Sequence, residues 1–288
     1  MSAVPHRDEP TAGELLADWL TRQTERLAAL EAAVRADEPD AVHQMRITSR
    51  RLRSTLQAYR PLLTADTAPL VAELRELAAA LGVARDAEVL GERLTALARE
   101  LPEECGPAET ADALARWSAE QTELARPQAV AALDGPRFPA LLAALRGLAA
   151  EPQFTARAER PAARELTRIA RREQRRTARR IRTARAAAPG TATEVALHDA
   201  RKAAKRARYA GEPAGRAARG FVRRMKELQD LLGVHQDAVL ACRTLHGLAA
   251  DGPAFAYGVL YERERVVEAE ARAALPGVWR RARKRPQF

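Results

Sequence analysis

The stretch Val42-His43-Gln44-Met45-Arg46-Ile47-Thr48-Ser49-Arg50-Arg51-Leu52-Arg53 returns, 155 positions later, as Leu197-His198-Asp199-Ala200-Arg201-Lys202-Ala203-Ala204-Lys205-Arg206-Ala207-Arg208. Both copies place a histidine first, then basic residues three, seven and ten positions on. A second pair follows: Glu76-Leu77-Ala78-Ala79-Ala80-Leu81-Gly82-Val83-Ala84-Arg85-Asp86-Ala87 aligns with Glu227-Leu228-Gln229-Asp230-Leu231-Leu232-Gly233-Val234-His235-Gln236-Asp237-Ala238 at an offset of 151. Two motifs repeated in the same order at nearly the same spacing mark an internal duplication. Two related units of roughly 140 residues each are expected.

Those units are read as helical. At 100° per residue, His43, Arg46, Arg50 and Arg53 fall within an arc of about 80°, and Val42, Met45, Leu52, Leu56 and Tyr59 form an apolar stripe beside it. Similar periodicity predicts helices over 13–36, 41–60, 68–81, 83–101, 109–133 and 139–150 in the first unit. In the second it predicts 160–188, 193–210, 214–232, 234–249 and 253–285. Pro39, Pro61, Pro102, Pro136, Pro152 and Pro189 punctuate the pattern. Ala, Arg, Leu and Glu dominate, and aromatic residues reach only 4%, a mixture that favours helices over strands. Hydrophobic residues make up 47%, enough for a packed core.

The net charge of +10 is unevenly spread. Residues 1–150 carry 17 basic and 23 acidic side chains, a net of −6, and residues 151–288 carry 31 and 15, a net of +16. Twelve arginines face three glutamates between Arg157 and Arg185. Such a field attracts a polyanion: nucleic acid, an anionic membrane or polyphosphate. A row of guanidinium groups suits phosphates because each offers paired donors, and lysine adds a compact charge. A single basic face is usually a solvated surface. The recurrence of one spacing at equivalent places in two units argues for a binding ridge instead. Asp86 and Asp237, four residues after Gly82 and Gly233, are read as structural, capping a helix start or orienting a nearby arginine.

Two cysteines, Cys105 and Cys242, are too few for a disulfide framework. The first ten residues hold no signal-like apolar stretch, and no run is long and apolar enough to span a membrane, so a cytoplasmic setting is expected. No cofactor and no metal are expected. Cys242 and His246 stand one helical turn apart, but two ligands do not make a zinc site.

These residues resemble the CHAD family, the conserved-histidine α-helical domains. Val42 to Arg46 leading into Arg50 to Arg53, Leu197-His198 leading into Arg201 to Arg206, and the Leu-Gly-x-x-x-Asp segments around Gly82 and Gly233 carry the likeness, from about residue 11 to 285. The resemblance implies an all-α fold of two tandem four-helix bundles related by internal pseudo-two-fold symmetry, divided at 11–150 and 155–285. It also implies non-catalytic binding of inorganic polyphosphate in a basic central cleft, with polyphosphate granules as the site of action. By that resemblance His43, Arg46, Arg50, Arg53, His198, Arg201, Lys205 and Arg208 line the cleft, joined by Arg85, Lys202, Lys226 and Arg137. Ala200 and Ala207 stand where bulkier apolar residues are usual, a departure expected to loosen local packing.

Two other functions stay in view. One is an enzyme of triphosphate chemistry, because CHAD domains are fused in some proteins to a catalytic CYTH barrel marked by alternating Glu-x-Glu-x-Lys. Glu262-Arg263-Glu264-Arg265 only superficially matches, since on a helix glutamates two apart diverge by about 200°. No P-loop, Ser/His/Asp or Cys/His spacing is present. The other is nonspecific nucleic-acid binding, for which the basic helices offer almost no stacking aromatics, Tyr209 being the nearest. A specific nucleic-acid or membrane partner is not expected, and the sequence alone does not set the oligomeric state.

Overall fold

The computed structural model describes residues 9–288, excluding the side chains of residues 83–85 and 125–126. Among the described residues it is all-α, with two isolated bridges, Thr11 to Pro161 and Leu63 to Phe154, and no strand. The helices are α1 (Ala12–Arg35), α2 (Ala41–Tyr59), α3 (Ala68–Ala80), α4 (Gly82–Arg99), α5 (Pro107–Asp134), α6 (Arg137–Ala150), α7 (Ala162–Ala186), α8 (Thr191–Gly211), α9 (Arg219–Leu248) and α10 (Ala254–Ala282).

Local chemistry sets the ends. Thr11 and Glu14 form a reciprocal cap at the start of α1: the Glu14 amide donates to Thr11 Oγ1 at 3.2 Å and the Thr11 amide donates to Glu14 Oε2 at 2.7 Å. Gly106, at φ 60°, turns the chain into α5, whose first residue is Pro107. A one-residue break separates α3 from α4 as the sequence predicts, but it falls at Leu81, and Gly82 is the first residue of α4. Gly233 does not repeat that break. Residues 214–232 and 234–249, read as two helices, form the continuous α9. A lone glycine flanked by leucines and valine weakens a helix by about 1 kcal/mol without ending it. The two repeated sequence motifs fall on α2 and α8 and on the α3–α4 junction and α9.

Three apolar clusters hold the fold. Leu16, Leu20, Met45, Leu52, Leu56 and Phe138 belong to a core built by α1, α2, α3 and α6 with the end of α5 and the start of α7. Ile181, Leu197, Met225, Leu228, Leu232 and Leu275 belong to one built by α7 to α10. Ala200 and Ala207 are fully buried in the second core. The hairpins α4–α5 and α9–α10 meet in the third cluster, where Leu90, Leu94 and Leu114 join Leu245, Tyr257 and Leu260. There Arg93 reaches across to the fully buried Glu264 with two hydrogen bonds, 3.0 and 2.7 Å long.

The two halves also meet along α2 and α8. Arg51 Nε lies 3.1 Å from Glu212 Oε2, and Arg206 Nη1 donates to Gln57 Oε1 at 3.0 Å. Arg206 follows Arg51 by 155 positions, and Glu212 follows Gln57 by the same interval. The contact is reciprocal. Tyr59 closes it, its hydroxyl donating to the Ala210 carbonyl at 2.9 Å from a fully buried position.

Candidate functional site: a cationic cluster where α2 and α8 meet

The basic arc of α2 begins with Arg46, whose side chain is 11% exposed. Its two terminal nitrogens donate to the two Asp86 oxygens at 2.6 and 2.8 Å, a bidentate pair that fixes the guanidinium plane. Behind it lies Gly82: a Cβ there would sit 3.2 Å from the Arg46 guanidinium. The second half repeats the arrangement, with a Cβ on Gly233 lying 3.4 Å from Arg201. The glycines of the second motif thus make room for the arginines of the first, which explains why both motifs recur together. Arg46 Nε and Arg201 Nε are buried N–H groups without a hydrogen-bond partner. Replacing Gly82 by valine should cost about 1–3 kcal/mol of overpacking and pull Arg46 off Asp86; urea unfolding measures the first effect and a crystal structure of the variant the second.

Further along α8, Arg208 lies over the Tyr209 ring at 4.4 Å from its centroid and 3.9 Å from Glu212. Arg51 approaches the same ring at 5.9 Å. Tyr209 and Glu212 therefore join Arg208 of the α8 row to Arg51, which lies off the basic arc of α2.

The electrostatics place the two rows side by side. Lys205, half-buried on α8, has its amine lowered to about 7, first by burial and then by Arg50, Arg201, Arg46 and Arg208. Two of those four arginines belong to α2 and two to α8. Arg50 is lowered to about 10 by burial and by Arg46, and Arg53 is lowered by burial and by Arg75 of α3. Like charges crowded out of water disfavour their own ionisation, and an anion in their midst would relieve that.

The remaining sequence candidates take different places. His43 is half-buried on α2. His198 is exposed at the outer end of α8, its Nδ1 2.9 Å from Gln236 Oε1; burial, followed by Lys202 and Arg201, outweighs that bond and holds it below the ordinary histidine value. The two histidines flank the inner cluster and neither is among the strongest influences on Lys205. Lys202 and Lys226 are exposed, each bonded on its own helix to an acid at 2.6 Å, Asp199 and Asp230 respectively. Arg137 is exposed and bidentate to Glu73. The Arg85 side chain lies outside the described residues. Asp86 orients Arg46, one of the two roles expected for it, while Asp237 sits inside the continuous α9, far from a helix start, so the capping role does not apply. Arg51, Arg75, Tyr209 and Glu212 were not singled out for the site. Arg51 points away from the basic arc on a helical wheel, Tyr209 and Glu212 follow Arg208 by one and four positions, and Arg75 reaches Arg53 only through tertiary packing.

On α7, Arg175, Arg179 and Arg182 are exposed, whereas Arg157 is bonded to the buried Glu165 and Arg206 to the buried Glu173. Part of the arginine excess there is structural. Among the described residues no group of three or more His, Cys, Asp or Glu side chains could hold a metal ion, and no helix is long and apolar enough to cross a membrane. Cys105 and Cys242 are free and buried, with the Cys242 thiol pushed up to about 11 mainly by burial.

With this geometry in place, the class is clear: an all-helical chain in which two repeated His/Arg helices, α2 and α8, pack together. The CHAD domain family matches residues 19–246, and the chain belongs to that family. Among curated proteins it is 38% identical over 272 residues to the uncharacterized proteins Rv2226 and MT2285 of Mycobacterium tuberculosis strains H37Rv and CDC 1551. The match covers 91% of this chain but only 52% of theirs, so the chain spans about half the length of those relatives. Two solved structures share the fold. PptA from Streptomyces chartreusis superposes with a TM-score of 0.77 at 23% identity, covering 94% of this chain and 99% of its own. The CHAD domain of the plant Ricinus communis superposes with a TM-score of 0.73 at 24% identity, covering 99% and 97%.

Proposed function

We propose that the chain binds inorganic polyphosphate in the cleft between α2 and α8 and performs no chemistry on it. The observation that carries this reading is the convergence of Arg46 and Arg50 with Arg201 and Arg208 around Lys205. A flexible chain of phosphates would supply many anionic oxygens to donors held at fixed spacing. The reciprocal pairs Arg51–Glu212 and Arg206–Gln57 support units 11–150 and 155–285 related by a pseudo-two-fold axis, which would present matched ridges to a polymer without polarity. Cytoplasmic polyphosphate granules are the proposed location.

Nucleic acid is the less favoured ligand because Tyr209, the aromatic ring of the cleft, is buried and covered by Arg208, leaving no platform for a base. Triphosphate hydrolysis is less favoured because Glu264 is buried and bonded to Arg93 and its neighbour Glu262 lies two residues away on the same helix.

Polyphosphate affinity should fall steeply with salt, as neutralising several phosphates releases their counterions. A titration by calorimetry from about 50 to 200 mM salt should lose on the order of 10² or more in affinity if about five phosphates are engaged. Affinity that hardly changed, duplex DNA outcompeting long polyphosphate at one ionic strength, or magnesium-dependent phosphate release from polyphosphate would each overturn the proposal.

A further inference from the structure

Lysine is scarce in this chain: only Lys202, Lys205, Lys226 and Lys284 among 48 basic residues. Lys202, Lys226 and Lys284 are exposed, and the first two are bonded to carboxylates. Lys205 is different. It is half-buried, it has no carboxylate within ion-pair distance among the described residues, and it stands where the other half carries Arg50.

The charges around it are of one sign. From α2 it faces Arg46 and Arg50, and along α8 it faces Arg201 and Arg208. The nearby acids are already engaged, Asp86 of α4 with Arg46 and Glu212 with Arg51 and Arg208. On α7, Glu173 is held by Arg206 and Arg172 and Arg180 pairs with Asp199, so the charge left over there, at Arg176, is positive. On α9, Lys226 holds Asp230, Glu227 lies 3.9 Å from both Arg223 and Arg281, and Asp237 is the remaining acid. No group of α7 or α9 is among the strongest influences on the Lys205 amine.

We propose that Lys205 is the proton-taking ligand of the cleft: a condensed-phosphate anion entering between α2 and α8 draws about one proton from solvent onto its amine, so that affinity is set by pH through this residue. The inference rests on the reading that the cleft binds polyphosphate. An arginine cannot serve here, since in nearly the same surroundings Arg50 is lowered only to about 10 and stays charged at neutral pH. The Lys205 amine, lowered to about 7, is mostly neutral at pH 8 in the free protein. A bound polyanion reverses the field and favours the ammonium form. The sign follows: the bound state holds more protons, so affinity falls as pH rises. With the amine held protonated in the complex, the loss between pH 7.5 and 9 is about twentyfold. That window lies above the histidine range, and His198 is lowered further still.

The test is calorimetry of long-chain polyphosphate binding at pH 8, in two buffers of different ionisation enthalpy, with the native chain and Lys205→Arg. The native chain should take up close to one proton per site and Lys205→Arg close to none while still binding. Equal uptake by both proteins overturns the inference and leaves polyphosphate binding intact; no binding by the native chain overturns both. If Lys205→Arg does not fold, 13Cε-lysine NMR of the native chain decides. With four lysines, one signal should titrate near pH 7 when free and above about 9 with polyphosphate. Four signals all titrating near the ordinary lysine value would overturn the inference.

Discussion

Replacing Arg46 and Arg201 together by alanine should weaken polyphosphate binding well over tenfold while leaving the far-ultraviolet helical signal unchanged. Each arginine contributes charge-assisted contacts of about 1.5–3 kcal/mol, and about 1.4 kcal/mol is tenfold in affinity. The two occupy equivalent positions, over Gly82 and Gly233, so one substitution disables the same point on each ridge. Arg46 shares its guanidinium with Asp86, which reduces its part. The Asp86 side chain is 58% exposed, so losing its partner leaves a solvated acid and little penalty for folding. Replacing Arg175 and Arg179, exposed on α7, removes the same charge away from the cleft and should cost less than about threefold, because exposed charges at a distance are screened. Equal losses from both pairs would mean that net charge alone draws the ligand.

Arg93→Ala should destabilise the fold by about 3–5 kcal/mol, the range for breaking a buried ion pair from one side. Glu264 is fully buried, and Arg93 alone gives it a bidentate partner. The pair links α4 to α10, where the hairpins of the two halves meet, so it also fixes how the halves are set against one another. The double replacement Arg93→Met with Glu264→Leu should restore most of the loss, since an apolar pair needs no desolvation offset. Urea unfolding of the three variants measures both effects. A cost below about 1 kcal/mol for Arg93→Ala would show that the hairpin tips are held by apolar contact alone.

Much of this architecture is legible in the chain itself. The duplicated His43 and His198 motifs, proline punctuation and helical periodicity give the helices and their pairing because these signals are local. The cationic cluster was legible as two rows, Arg46-Arg50-Arg53 and Arg201-Lys205-Arg208, since a row on one helix face needs only the helical repeat. How the rows meet was not. Tyr209 and Glu212 follow Arg208 at the end of the same helix, but that Arg51, far away in sequence, meets them too is not marked by anything near it. Lys202 and Lys226 stood as candidates by the family resemblance, which does not reveal that Asp199 and Asp230 on the same helix would take them. Gly233 looked like a break because Gly82 adjoins one. What distinguishes them is the packing around each, while what unites them, the arginine lying over the glycine, explains the repeat better than a turn does.

A crystal soaked with a short polyphosphate tests the central claim most directly. Phosphate density should run between α2 and α8, within hydrogen-bonding distance of Arg46, Arg50, Arg201 and Lys205. Density confined to the exposed arginines of α7, with the α2–α8 cleft empty of phosphate, would contradict the account.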